Sequence, residues 1–358
     1  MKVGIVTQPL YANYGGILQN YALQQVLKKM GHEPITLDYM PSLPLGRYLL
    51  YAGKGLLYGL SPSKRHPIKP YKHFLQRPAI IDSFVRNNIN LTKTISDYNR
   101  HILDKNGIEA LIVGSDQVWR YSYNSHYLKD MYLDFAKGYQ CRKIAYGASF
   151  GVEEWDYPPQ DYIIAKELIK KFDAVYVREN SAVKICRDYL GVNATTVLDP
   201  TLLLSAFDYQ ELCKEAIVES ESYIAAYVLD MNDEKKTYIQ SFAKAKGLIV
   251  KQITVSDDAV SVRDWLNTIR HSVFVITDSY HGTLFSIIFR KPFQTIINKE
   301  RGADRFITIL NQLGLQDRLL YNVPNIIDVS DYINYDIVYD KLNVLSQASI
   351  TKLTNNLL

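Results

Sequence analysis

Short apolar runs alternate with helix-length amphipathic segments along most of the chain, and each run ends in a polar or glycine-containing turn. That alternation demands parallel strands joined by crossover helices, a layered α/β architecture in which both faces of each sheet are covered. In the first half the runs are Lys2–Thr7, Glu33–Tyr39, Ala110–Val113, Lys143–Tyr146, Ala174–Val177 and Thr195–Leu198. The helical patterns between them are Ile17–Met30, Ile80–Asn87, Tyr98–Asn106, Asp161–Lys171 and Ser181–Tyr189. Gly31 and Gly191 stand where helix C-caps are expected.

Asp199–Pro200 closes this series, and Ser205–Tyr209 begins a new helix. The alternation resumes with strands Tyr223–Leu229, Leu248–Lys251, Val273–Ile276 and Phe293–Ile297. Helices are expected over Lys235–Lys246, Val262–Arg270, from Leu284 onward, and over Arg305–Leu313. A chain of 358 residues exceeds the usual size of one core. The expectation is therefore two Rossmann-like domains, 1–203 and 204–330, facing a central cleft, with 331–358 as a tail packing back on the first.

Composition narrows the function classes. A net charge of +4 without clustered Lys and Arg gives no basis for a nucleic-acid partner. Three widely spaced cysteines, Cys141, Cys186 and Cys213, form no C-x-x-C pair and read as reduced thiols of a cytoplasmic protein. The apolar N-terminus is explained by a first strand and is too short for a secretory signal. No apolar stretch reaches spanning length. Residues 41–60 are apolar and tyrosine-rich and precede Lys64, Arg65 and His66. They read as a cover for the core or a subunit contact, with peripheral membrane attachment as the alternative.

The chemistry-bearing residues gather at the ends of the apolar runs, the edge where open α/β sheets bind ligands. Asn13–Tyr14–Gly15–Gly16 leads into a helix carrying Gln19 and Asn20, a place for close backbone approach and for amides that bond sugar hydroxyls. Adjacent glycines are not the dinucleotide fingerprint. Ser115, Asp116, Gln117 and Trp119 follow Ala110–Val113, so a sugar stacked on the indole with its hydroxyls bonded by its neighbours is expected there. Arg178 follows Ala174–Val177 and offers a guanidinium fork for an anion, or else a structural ion pair. Lys299 and Arg305 are further cations near the last helix. Thr277–Asp278–Ser279–Tyr280–His281–Gly282–Thr283 places a histidine where a strand gives way to a helix, as a general acid or base or as an imidazolium against phosphate. There is no G-x-S-x-G elbow for a hydrolase and no second ligand at metal spacing around His281.

Taken together, Asn13–Tyr–Gly–Gly16 with Gln19 and Asn20, Gly114–Ser–Asp–Gln–Val–Trp119, Val177–Arg178–Glu179, Leu198–Asp–Pro–Thr201 and Thr277–Thr283 resemble the polysaccharide pyruvyl transferase family over residues 1 to about 315. The resemblance implies a GT-B-like fold and transfer of a pyruvyl group from phosphoenolpyruvate to sugar hydroxyls, giving a ketal on a cell-surface glycan or its lipid-linked precursor. It implies a cytoplasmic enzyme, at the inner face of the membrane where the acceptor is lipid-linked, with no metal and no cofactor beyond the donor.

By position the resemblance makes His281 the proton donor and Asp116 or Asp278 the acceptor of the hydroxyl proton. Arg178, Ser279, Gly282 and Thr283 fall on the donor side. Ser279 stands where the family has arginine, so Lys299 or Arg305 is expected to supply the missing cation. Asn13, Gly15, Gly16, Gln19, Asn20, Ser115, Gln117 and Trp119 fall on the acceptor side. The alternative enzyme is a GT-B glycosyltransferase using a nucleotide sugar, and a noncatalytic glycan-binding protein is a third class.

Overall fold

Valine, isoleucine and alanine dominate the apolar runs, and the runs pair into two parallel sheets buried between helices. The computed structural model describes residues 1–40, 77–213, 221–253, 260–298, 301–323 and 331–357. The 41–60 stretch and Lys299 lie outside the described residues.

The first sheet has strands β1 (Lys2–Val6), β2 (Glu33–Thr36), β3 (Ala110–Asp116), β4 (Arg142–Ala148), β5 (Ala174–Val177) and β6 (Thr195–Thr196), in the order β2-β1-β3-β4-β5-β6. Its helices are α1 (Tyr14–Lys29), α2 (Ala79–Asn88), α3 (Arg100–Asn106), α4 (Pro159–Ile169) and α5 (Asn180–Ile185). The second sheet has β7 (Tyr223–Tyr227), β8 (Ile249–Gln252), β9 (Phe274–Thr277), β10 (Phe293–Ile296) and β11 (Leu319–Leu320), in the order β11-β10-β9-β7-β8. With it go α6 (Ala206–Leu212), α7 (Asp233–Lys246), α8 (Val262–His271), α9 (Tyr280–Ile288), α10 (Asp304–Leu313) and α11 (Tyr335–Leu357).

Both strand orders reverse direction at one place, between β1 and β3 in the first sheet and between β7 and β9 in the second. A crevice opens outside the carboxyl ends of the strands at such a point. The two crevices face each other across the domain boundary, and their loops form the walls of one cleft.

Several contacts fix the domains in this relation. Tyr14, at the start of α1, stacks on Trp265 of α8 with ring centroids 5.7 Å apart and donates its hydroxyl to the Val260 carbonyl at 2.8 Å. The Ser181 amide of α5 donates to Asp304 at 2.6 Å, putting a carboxylate of α10 against the free N–H end of a first-domain helix. α11 crosses both units. Its Tyr339 hydroxyl donates to the Ile288 carbonyl at 2.7 Å, while farther along Ser349 Oγ accepts from the Leu198 amide at 3.1 Å and Leu353 is fully buried. One hydrophobic cluster accordingly runs from Val3 and Ile5 of β1 through Trp265 and Phe285 to Leu353 and Leu357.

Candidate active site

The cleft is a cavity of about 390 Å³. The first domain lines it with Gln8, Tyr11, Asn13, Asp116, Gln117 and Tyr123, the second with Tyr227, Leu229, Ser279, Tyr280, His281, Arg301 and Arg305. One wall carries a buried charge cluster. Arg178, just beyond β5, reaches Asp116 Oδ1 at 2.8 Å and Asp199 Oδ2 at 3.0 Å, and its Nε lies 3.8 Å from Glu179 Oε2. His281 Nε2 comes from the second domain to 3.5 Å from Asp199 Oδ2.

Each carboxylate in the cluster has its own environment. Asp199 is completely enclosed; burial opposes its charge, but the His281 ring, Arg178 and the Thr201 amide outweigh it and hold the carboxyl well below the usual range. Asp116 is lowered in the same way, with Arg178, His281 and Arg305 overcoming its burial. Burial wins at Glu179, where it raises the carboxyl above its ordinary value despite Arg178. Asp116 sits at φ 80°, a backbone state that costs a non-glycine residue roughly 1–3 kcal/mol and concentrates at functional sites.

Arg305 is the exception among the buried cations. It is 6% exposed, makes no ion pair with any described residue, and its Nε has no hydrogen-bond partner. Burial, with the neighbouring Arg178, pushes its pKa down to about 10. Asp116 and Glu179 act on it only at longer range, so it is a buried guanidinium at the cleft with no direct ion pair among the described residues.

Of the expected residues, the structure brings Asn13, Asp116, Gln117, Ser279, His281 and Arg305 together at the cavity. Others have a different part, and the reasons are local. Arg178 is fully buried with both terminal nitrogens on carboxylates, which makes it the holder of Asp116 and Asp199. Asp278 accepts from the Leu229 amide at 2.6 Å and from Lys235 Nζ at 2.8 Å and is fully buried, so it ties down the loop after β7 and is not free to take a proton. The amides after His281 are used internally, since Gly282 N–H donates to Ser279 Oγ and Thr283 N–H to the Ser279 carbonyl. Thr283 Oγ1 bonds Thr295, and Gly282 packs against Thr277 too closely for any side chain.

Trp119 is not a sugar platform. It is fully buried, stacks on Tyr132 at 5.2 Å, and donates its indole N–H to the Met131 carbonyl. Gln19 is buried between Thr7 and the Ser115 amide, Asn20 accepts from Thr36, and Ser115 Oγ donates to the Gly147 carbonyl at 3.1 Å, so these three brace the inside of the sheet edge. Gly16 is buried against Asn13. Gly15 faces His281 and not an acceptor, and a Cβ there would overlap the imidazole at Nδ1.

Residue-by-residue reading missed Asp199, whose acidic role depends on a histidine in the other domain, and the cleft residues Gln8, Tyr11, Tyr123, Tyr227 and Tyr280. Asp199 carried one signal, its place in the Asp–Pro–Thr turn after the last strand of the first sheet.

The model of the polysaccharide pyruvyl transferase family matches residues 13–300, a span that holds every member of the Asp116–Arg178–Asp199–His281 cluster. The chain belongs to that family. Arg305 lies just past the matched span. No curated protein sequence matches the chain. Among solved structures of similar fold are the Staphylococcus aureus (S. aureus) MnaA–UDP co-structure, 11% identical, with 96% of this chain and 87% of that one covered and a TM-score of 0.50. The UDP-GlcNAc 2-epimerase of Methanocaldococcus jannaschii in complex with UDP-GlcNAc and UDP is 12% identical, with coverages of 97% and 93% and a TM-score of 0.48. At such identity the likeness is one of fold, and this pyruvyl transferase family member has the GT-B-like arrangement of two Rossmann-like domains about a cleft. Among the described residues, no group of three or more His, Cys, Asp and Glu is placed to hold a metal ion, and no helix is long and apolar enough to cross a membrane.

Proposed function

We propose that this family member transfers the pyruvyl group of phosphoenolpyruvate to hydroxyls of a sugar, closing a ketal on a cell-surface glycan or its lipid-linked precursor at the cytoplasmic face of the membrane. The observation that carries the reading is Arg305, a buried cation with no carboxylate partner, lining the same cavity as His281. A small, multiply charged donor would bring an anionic group to a guanidinium that makes no direct ion pair with any described residue.

His281 is the proton source. It lines the cavity, and Asp199, 3.5 Å from its Nε2, provides the counter-charge for the imidazolium. The imidazolium proton passes to the methylene carbon of the enol phosphate, and the adjacent carbon becomes an oxocarbenium-like centre. A sugar hydroxyl attacks that carbon and hands its proton to Asp116, the ionised carboxylate at the cleft wall. The carbon–oxygen bond to phosphate then breaks, with phosphate taking the electron pair and the proton held by Asp116, and a second hydroxyl closes the ring, its proton restoring His281. Arg305 holds the donor's negative charge throughout. Gln8, Asn13 and Gln117, each also bonded within the protein, and Tyr11 and Tyr123, which add aromatic surface, line the acceptor side of the cavity.

The nucleotide-sugar alternative has no comparable support. The polar groups at the carboxyl edge of the second sheet are occupied by one another: Arg301 forks onto Asp230, Asn298 bonds Asp230, and Lys235 bonds Asp278.

The test is phosphate release from phosphoenolpyruvate in the presence of a glycan acceptor extract. The purified protein is expected to release phosphate and to add pyruvyl mass to the glycan, and His281→Ala to lower the rate by roughly 10²–10⁴-fold. Turnover that survives His281→Ala unchanged contradicts the assignment.

A further inference from the structure

Tyr280, the first residue of α9, stands between the two buried arginines of the cleft. The Arg178 and Arg305 guanidinium carbons lie 4.9 and 5.2 Å from its ring centroid. Its ring meets Phe306 edge-on at 5.6 Å and His281 at 5.4 Å, so four side chains pack against it. The side chain is 3% exposed and lines the cavity, yet its hydroxyl makes no hydrogen bond to any described residue. Burial raises the phenol's pKa, Asp199 adds to the shift, and the two arginines oppose it without reversing it. The hydroxyl therefore keeps its proton at neutral pH and has a donor to give.

Two donors thus meet on one wall: a guanidinium with no direct ion pair, its Nε without a hydrogen-bond partner, and a phenol that donates to no described residue. We propose that Arg305 and the Tyr280 hydroxyl form a two-point site for one anionic group, a phosphate monoester or a carboxylate, and that Tyr280 touches the substrate directly through this hydrogen bond. The assignment to the donor rests on the phosphoenolpyruvate reading above; the anion site itself does not. The site takes the place of the arginine that Ser279 replaces, since Ser279 spends its hydroxyl on capping Gly282.

Tyr280→Phe removes the hydroxyl and keeps the ring between the arginines, so it is the discriminating variant. Wild type and Tyr280→Phe are titrated calorimetrically with inorganic phosphate and with phosphoenolpyruvate, and both proteins are melted to confirm an unchanged fold. The expected result is a Kd for both anions weaker by roughly 10- to 100-fold in the variant, the worth of a hydrogen bond to a charged group. Equal affinities in the two proteins, or no binding of either anion by wild type, overturn the site. Tyr280-dependent phosphate binding in a protein that never consumes phosphoenolpyruvate upholds the site and rejects the donor assignment instead.

Discussion

The residue on which the cleft's electrostatics turns is Asp199. It is fully buried and touches Arg178 at 3.0 Å, His281 at 3.5 Å and the Thr201 amide at 3.1 Å, so it joins the two domains through charge. Its folded carboxyl is held below the ordinary value of 3.8. The sign follows from linkage: its stabilisation is complete above that value and is lost as pH falls through the lower, folded one. Asp199→Asn is therefore expected to destabilise the protein by about 3–5 kcal/mol at neutral pH, the cost of stranding a buried partner, with the gap from wild type shrinking below pH 3.8. Urea unfolding of both proteins across pH checks this, and a gap that does not change with pH is the contrary result. Sequence alone made His281 legible, because a histidine at a strand end before glycine and threonine has few structural uses. Trp119 was misread for a physical reason: the short helical turns at 121–131 fold over it, and Tyr132 and the Met131 carbonyl that close its pocket cannot be inferred from the indole's neighbours.

At the scale of elements, the decisive approach is that of α1 to α9. Gly15 lets the His281 ring lie against the α1 backbone, and a methyl group there has no room. Gly15→Ala is expected to push the two helices apart, lowering phosphoenolpyruvate turnover by about 10²-fold, the loss typical of a misplacement near 1 Å. Its circular dichroism spectrum should stay that of wild type, and turnover equal to wild type would show that the contact does not position the ring. Element reading from sequence worked best where turn chemistry flanks a run, as at Ala174–Val177, which both limits and residues reproduce. It was late for α9, expected from Leu284 and observed from Tyr280, because all nine residues of that helix are buried and apolar periodicity has no polar face to mark its start. The Ser279 cap, which begins the helix, was the available signal.

The molecule is two sheets, each with an apolar cluster of its own and both joined by a larger one that runs between them, with α11 laid across both. Shared burial couples the unfolding of the two halves. Differential scanning calorimetry is expected to show a single transition with equal calorimetric and van't Hoff enthalpies, and two separated transitions would contradict the coupling. The same continuity holds the switch points of the two sheets face to face, which gives the cleft its composition: carboxylates and amides from one side, His281, Tyr280 and Arg305 from the other. The doubly wound pattern and its strand-end motifs were legible at this scale, whereas the pairing of charges across the cleft was not, since it depends on how two domains meet.

The central claim is that Arg305 waits for the anionic donor, and thermal melting with ligands tests it most directly. Phosphoenolpyruvate is predicted to raise the Tm of wild type and to leave that of Arg305→Met unmoved. Stabilisation by UDP with none by phosphoenolpyruvate, or an undiminished phosphoenolpyruvate shift in Arg305→Met, would contradict the account.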